Sequence, residues 1–158
     1  MKEIEIQPMQ ASHLAEVLAI ENDVFPAPWT EGMFRQEMSH QRVSRLSVVI
    51  RHRKVVGYYI AWFLEDMVHL VNIAVARPFH RKGIGSVCLE RILDEATQEG
   101  RRYIVLEVRG SNRSALEFYH AFHFEKVGVR KRYYSDNFED AILMALDLVK
   151  HPFTKGMK

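Results

Sequence analysis

The stretch that decides the fold runs from Val71 to Gly100, VNIAVARPFHRKGIGSVCLERILDEATQEG. An apolar run, Val71-Asn72-Ile73-Ala74-Val75, ends at Arg77-Pro78. A short basic loop follows, His80-Arg81-Lys82, and then Gly83-Ile84-Gly85. A helical pattern starts at once, with Ile84, Cys88, Ile92 and Ala96 at every fourth position and Leu89 and Leu93 beside them. Gly100 is placed to cap that helix at its C-terminus. The unit is therefore strand, glycine loop, helix. A helix N-terminus presents unpaired N–H groups and the positive end of a dipole, glycines let the main chain approach a ligand, and Arg81 and Lys82 add charge. One reading is a phosphate cradle; the other is a strand-to-helix turn that needs glycine for its geometry. The spacing has no third glycine for a dinucleotide fingerprint and no Gly-Lys-Ser/Thr for a P-loop.

Outward from this unit, the chain of 158 residues predicts one domain over 1–149 and a polar tail over 150–158. Hydrophobic content of 47% and charged content of 27% are ordinary for a soluble globular protein. A net charge of only +2 gives no global field for nucleic acid, although basic residues cluster locally. The single cysteine, Cys88, excludes a disulfide framework and sits on the apolar stripe of the central helix, as a buried inert thiol would. No apolar run approaches the ~20 residues of a membrane span. The start, MKEIEIQPMQ, has no signal-peptide core, so a cytoplasmic location is expected.

Upstream, Lys2 to Gln7 alternates as a short strand, and Ala11 to Asn22 reads as a helix with Leu14, Val17, Leu18 and Glu21 in register and Ser12 as a possible cap. Phe25-Pro26-Ala27-Pro28-Trp29 is a stiff loop carrying two aromatics, either a substrate wall or a pin holding two helices to the core. Thr30 caps a helix over Glu31 to Met38. Ser44 to Arg51, Val55 to Phe63 and Asp66 to Val75 read as antiparallel strands. Downstream, Tyr103 to Val108 is reached through a helical crossover and should run parallel to Val71–Val75. Asn112 to Phe122 is a helix, and Phe124 to Val129 and Ala141 to Leu148 are strands. The fold class is α/β, a mixed sheet of about seven strands, antiparallel first and parallel in the middle, with about four helices.

Five features bear on chemistry. Glu107 stands in the apolar strand Ile104-Val105-Leu106-Glu107-Val108. Burial there would raise its pKa toward that of a base useful at neutral pH; alternatively it sits at the strand end and pairs with Arg109 or another cation. Asn112 is an N-cap, or a second source of donors for the anionic ligand. Tyr119 shares a helical stripe with Ala115, Phe118 and Phe122, as a core aromatic or as a hydroxyl reaching a site at the strand ends. His120 and His123 are three apart, but no carboxylate or thiol joins them at ligand spacing, and no metal is expected. Lys131-Arg132-Tyr133-Tyr134 mixes basic and aromatic residues, a short run for a nucleic-acid platform.

The loop His80-Arg81-Lys82-Gly83-Ile84-Gly85 resembles the (Gln/Arg)-x-x-Gly-x-(Gly/Ala) segment of GNAT-superfamily acetyltransferases, and the order of elements resembles the GNAT fold. More narrowly, Phe25 to Trp29, Asn72 to Val75, Leu106-Glu107-Val108-Arg109 with Ser111-Asn112, Ala115 to Tyr119, and Arg132-Tyr133-Tyr134 followed by Glu139-Asp140-Ala141 resemble the RimI-type alanine N-acetyltransferases of ribosomal small-subunit protein eighteen. The resemblance implies an acetyl-CoA-dependent enzyme acting directly on a protein N-terminus. Arg81, Lys82, Gly83, Ile84, Gly85 and Ser86 would hold the pyrophosphate. Ile73, Ala74 and Val75 would hold the pantetheine and thioester, with Asn112 assisting. Glu107 would be the general base and Tyr119 the general acid, and Trp29, Tyr133 and Tyr134 would line the acceptor groove. Its implied partners are acetyl-CoA and a protein N-terminal peptide, a ribosomal protein's in the first instance, with no metal, membrane or direct nucleic-acid partner. Other acceptors, such as broader N-termini, lysine or small amines, and a non-catalytic acyl-CoA sensor remain open readings. Three departures stand out: His80 at the first loop position, His123 where glycine is common before Phe124, and the long Pro26-Ala27-Pro28 loop.

Overall fold

The computed structural model describes residues 3–154. Among these, seven strands form one sheet in the order β1-β2-β3-β4-β5-β7-β6. The strands are β1 (Ile4–Pro8), β2 (Ser44–Arg51), β3 (Lys54–Phe63), β4 (Met67–Val75), β5 (Tyr103–Arg109), β6 (Glu125–Arg130) and β7 (Ala141–Asp147). The helices are α1 (Leu14–Val24), α2 (Glu31–Met38), α3 (Ile84–Gln98) and α4 (Arg113–Ala121). β1–β2–β3 pair antiparallel, β4 pairs parallel with β5 through Met67–His69, and β7 is antiparallel to both β5 and β6. The expected mixed sheet, with its parallel step after the α3 crossover, is what the backbone forms.

The helix ends follow local chemistry. Thr30 caps α2 by accepting the Met33 N–H at 3.2 Å. Asn112 caps α4, its Oδ1 accepting the Ala115 N–H at 3.2 Å. After α3, Gly100 turns left-handed at φ +72°, and Arg101 N–H reaches Ala96 O while Gly100 N–H reaches Thr97 O. That pair of bonds is a Schellman motif. Ser12 is not the cap of α1. It lies inside a short 3-10 turn, Ala11–His13, and the Gln10 N–H donates to His13 Nδ1 at 2.9 Å.

The residues group into two compact units, one running to Phe63 and including Leu70–Ile92, the other Leu64–His69 with Leu93 onward. The first buries Leu14, Val17, Ile20, Phe34, Val48, Val55, Tyr58, Ile60 and Ala74 in one cluster. Phe25 and Trp29 pack against that cluster, half-buried, and the Trp29 ring lies 5.2 Å from that of Phe34. In the second unit β5 alternates strictly. Ile104, Leu106 and Val108 are buried, while Val105, Glu107 and Arg109 are half-buried on the opposite face. Tyr119 is 6% exposed, its ring against Phe118 and Phe124. Of the tail, Lys150 to Thr154 lies in no strand or helix, and 155–158 fall outside the described residues.

Candidate active site

In the first unit the glycine loop is bent and open to solvent. Arg81 and Gly83 are both left-handed, at φ +62° and +82°, and Arg81, Lys82 and Gly83 are exposed. Val87 N–H donates to Gly83 O at 3.0 Å. The N–H groups of Ile84, Gly85 and Ser86 therefore precede the first ladder donor of α3, where a helix has donors without intrahelical acceptors. Donors of this kind can hold an anion. His80, the first departure, turns inward: its Nε2–H donates to Val75 O at 2.6 Å and ties the loop to the end of β4. Arg77 braces the same corner, donating to Asp23 Oδ2 at 3.0 Å and Asp23 O at 2.8 Å. β3 and β4 approach closely at Gly57, where a Cβ would lie 2.8 Å from the Ala74 carbonyl oxygen. Only glycine fits beside the Ile73–Val75 strand at that point.

A second feature of this unit carries no motif. Glu21 points inward from α1 and is 2% exposed. Its Oε1 accepts from the Tyr58 hydroxyl and from Asn72 Nδ2, the latter at 3.1 Å; its Oε2 accepts the Trp29 N–H at 2.9 Å. One buried carboxylate thus joins α1, the aromatic loop, β3 and β4. Burial and the Glu21 charge push the Tyr58 phenol well above the usual tyrosine range. The sequence signal was an acidic residue in register with Leu14 and Val17 on an apolar helical stripe.

In the second unit Glu107 does not sit as the run of apolar letters suggested. Because β5 alternates, Glu107 lies on the face away from Leu106 and Val108, and its side chain is 22% exposed. His69 of β4 lies opposite Val105 and reaches diagonally to Glu107, with Nε2 3.1 Å from Oε1. The expected rise in the Glu107 pKa is therefore corrected. The His69 hydrogen bond, with the positive charge of Arg130 adding to it, outweighs partial burial and holds the carboxyl below its ordinary value. Arg109 is not the partner. It donates to Asp136 at 3.0 Å and to Asn137 and Glu139 more loosely, and its guanidinium lies 4.0 Å from the Tyr134 ring centroid.

Glu139 accepts the Ser111 N–H at 2.6 Å, beside the Asn112 cap, and Asp140 accepts the Arg132 N–H at 2.9 Å. These carboxylates hold their own loop, which carries Tyr134 half-buried and Tyr133 exposed, the two rings 5.1 Å apart. Ile73 to Val75, Arg81 to Ser86 and Trp29 belong to the first unit. Asn112, Glu107, Tyr119, Tyr133 and Tyr134 belong to the second. The glycine expected before Phe124 is indeed wanted there, since His123 holds φ +70°. Among the described residues, no group of three or more His, Cys, Asp or Glu is placed to hold a metal ion, and no helix is long and apolar enough to cross a membrane.

The model of the acetyltransferase (GNAT) family matches residues 14–124. The chain belongs to the acetyltransferase (GNAT) family. The acetyltransferase is 30% identical over 145 residues to the [ribosomal protein bS18]-alanine N-acetyltransferase of Escherichia coli strain K12, covering 90% of this chain and 97% of that one. It is 32% identical over 142 residues to the protein of the same name from Salmonella typhimurium, covering 89% and 95%. The crystal structure of the ribosomal-protein-S18-alanine N-acetyltransferase from Escherichia coli superposes with a TM-score of 0.84 at 28% identity, over 98% of this chain and 99% of that chain.

Proposed function

We propose that this acetyltransferase moves the acetyl group of acetyl-CoA to the α-amine of a protein N-terminus, and that its acceptor is the N-terminal alanine of ribosomal small-subunit protein eighteen. The observation that carries this reading is the whole-length similarity to relatives bearing that name, at 30% identity over 97% of the Escherichia coli protein. The residues suit the chemistry. Arg81 to Ser86 take the pyrophosphate on the first turn of α3. Strand N–H groups of Ile73 to Val75 meet the pantetheine and the developing oxyanion, and Asn112 assists in holding the cofactor. Trp29, Tyr133 and Tyr134 contact the acceptor peptide.

An α-ammonium with pKa ~8 must lose a proton before its nitrogen can attack a thioester. Glu107 takes that proton, directly or through water. The C–S bond then breaks, and Tyr119 protonates the leaving thiolate. A phenol near ~10 is a weaker acid than a thiol near ~8.5, so this transfer costs about 2 kcal/mol unless the site favours the phenolate. No acyl-enzyme is needed when amine and thioester are held together.

The exposed Pro26-Ala27-Pro28 segment before Trp29 favours a second reading, in which the acceptor is a different N-terminus or another amine. Steady-state kcat/KM over peptides starting with Ala, Ser, Gly and Met, beside a polyamine and an aminoglycoside, separates the two. A clear preference for the Ala-starting ribosomal sequence supports the first. Acceptance of another class, with that peptide refused, replaces it.

A further inference from the structure

His80 stands where the loop departs from the Gln/Arg pattern, and the structure gives its ring a task. The chain leaves the sheet at Ala76, whose N–H donates to Val56 O on β3 at 2.9 Å. It makes one 3-10 turn, Arg77–Phe79, and His80 follows in extended backbone at φ −64° and ψ 148°. From there the ring turns back, with Nε2 2.6 Å from Val75 O, the last carbonyl of β4. A carbonyl can only accept, so Nε2 carries the hydrogen. The next residue, Arg81, is left-handed at φ +62° without being glycine. Such residues are uncommon, and they persist where the surroundings over-determine them. Two contacts flank Arg81 in this way. The His80 bond fixes the residue before it, and the Phe79 ring centroid lies 5.9 Å from Nζ of Lys82, the residue after it. One side chain thus ties the strand end assigned to the thioester to the loop assigned to the pyrophosphate.

We propose that His80 is a positioning residue for acetyl-CoA, holding the Arg81–Ser86 loop in its anion-binding shape before the cofactor arrives. This rests on the reading of that loop as the pyrophosphate site. The Nε2 donor of His80 is spent on Val75 O, so the ring acts through the loop and not as a donor to the phosphates. With the tether cut, Arg81 leaves the left-handed region for part of the time, and the loop binds only when it returns. Apparent affinity falls by the competent fraction, so a fraction of roughly a tenth to a third weakens Kd about three- to tenfold. The acetyl-pantetheine half of the cofactor meets the strand and not the loop, so its use does not depend on His80.

The variants are His80→Ala, which removes the tether, and His80→Gln, whose side-chain N–H lies the same number of bonds from Cα and can still donate to Val75 O. Three readouts are taken on the full-length protein: Kd for acetyl-CoA by titration calorimetry, kcat/KM for acetyl-CoA and for S-acetyl-pantetheine with one peptide acceptor, and trypsin cleavage after Arg81 and Lys82 in the cofactor-free protein, followed by mass spectrometry. His80→Ala should weaken acetyl-CoA binding by about three- to tenfold and lower kcat/KM for acetyl-CoA to match, with kcat at saturation and KM for the peptide unchanged. Its kcat/KM for S-acetyl-pantetheine should equal that of the wild type. Cleavage after Arg81 and Lys82 should be faster, because proteolysis follows the population of the open loop. His80→Gln should stay within about twofold of the wild type, since the donor is kept. Wild-type affinity and cleavage in His80→Ala, an equal loss with both cofactors, or His80→Gln as weak as His80→Ala overturns the tether. A wild-type protein that uses S-acetyl-pantetheine as efficiently as acetyl-CoA sinks the pyrophosphate reading, and the proposal with it; a wild-type protein that discriminates while His80→Ala is unchanged sinks the tether alone.

Discussion

Replacing Glu21 by Gln alters one atom in the most buried polar cluster described here, and its cost can be worked from the contacts. The carboxylate accepts from the Trp29 N–H, the Tyr58 hydroxyl and Asn72 Nδ2. A glutamine whose oxygen keeps the Trp29 N–H turns its NH₂ toward two donors. The Tyr58 hydroxyl can rotate and accept, so that bond survives as a neutral one. The Asn72 amide loses its partner. Hydrogen bonds to a charged group contribute about 1.5–3 kcal/mol each, and a buried group left unpaired costs about 1–3 kcal/mol. With one such bond lost and one weakened, Glu21→Gln should destabilise by about 2–4 kcal/mol. At about 2–4 °C per kcal/mol for a chain of this size, Tm should fall by roughly 5–15 °C. Urea unfolding should show a lower midpoint with an unchanged slope, since the exposed surface is the same. Tyr58→Phe should cost less, because it removes one donor and leaves Glu21 two. A loss below about 0.5 kcal/mol for Glu21→Gln would refute the reasoning, showing that the carboxylate is not the acceptor that organises this loop.

Other expectations follow from single positions. Gly57→Ala would place a Cβ 2.8 Å from the Ala74 backbone oxygen, so it should destabilise by about 1–3 kcal/mol and raise KM for acetyl-CoA; calorimetry and initial rates check both. His123→Gly relieves a left-handed residue at φ +70° and should raise stability by about 0.5–1 kcal/mol, seen as a higher Tm, less whatever its stacking on His151 contributes. Burial pushes the Cys88 thiol up to about 12, so alkylation of the native protein at pH 8 should be slow and should accelerate on unfolding. Cys88 and Tyr58 are both raised above their unfolded values of 9.0 and 10.0. Their stabilisation is complete below those values and is lost as pH rises through the folded ones, so stability should fall above pH ~9, less steeply in Tyr58→Phe.

Sequence legibility varied with the range of the interaction. The α2 helix was readable to its ends because Thr30 acts on Met33, three residues away. The α3 unit was readable because periodicity, glycines and Gly100 are all local. Glu107 was found, but its environment was misjudged. Four apolar letters around it suggested burial, whereas the pleat of β5 sends alternate residues to opposite faces. The partner that sets its charge state, His69, is chosen by the parallel register of β4 and β5, which no local pattern encodes. Glu21 was seen as a member of the α1 stripe and not as the acceptor it is, because its donors come from β3, β4 and the aromatic loop.

The central claim is transfer of an acetyl group to the α-amine of an alanine-starting ribosomal peptide. It is tested most directly by incubating that peptide, with a lysine in its sequence, with acetyl-CoA and the protein, then locating the added acetyl group by fragmentation mass spectrometry. The account predicts one acetyl group on the alanine α-amine and none on the lysine, with the reaction abolished by Glu107→Gln. Acetyl found on the lysine alone, or a peptide left unmodified while a small amine is acetylated, would contradict it.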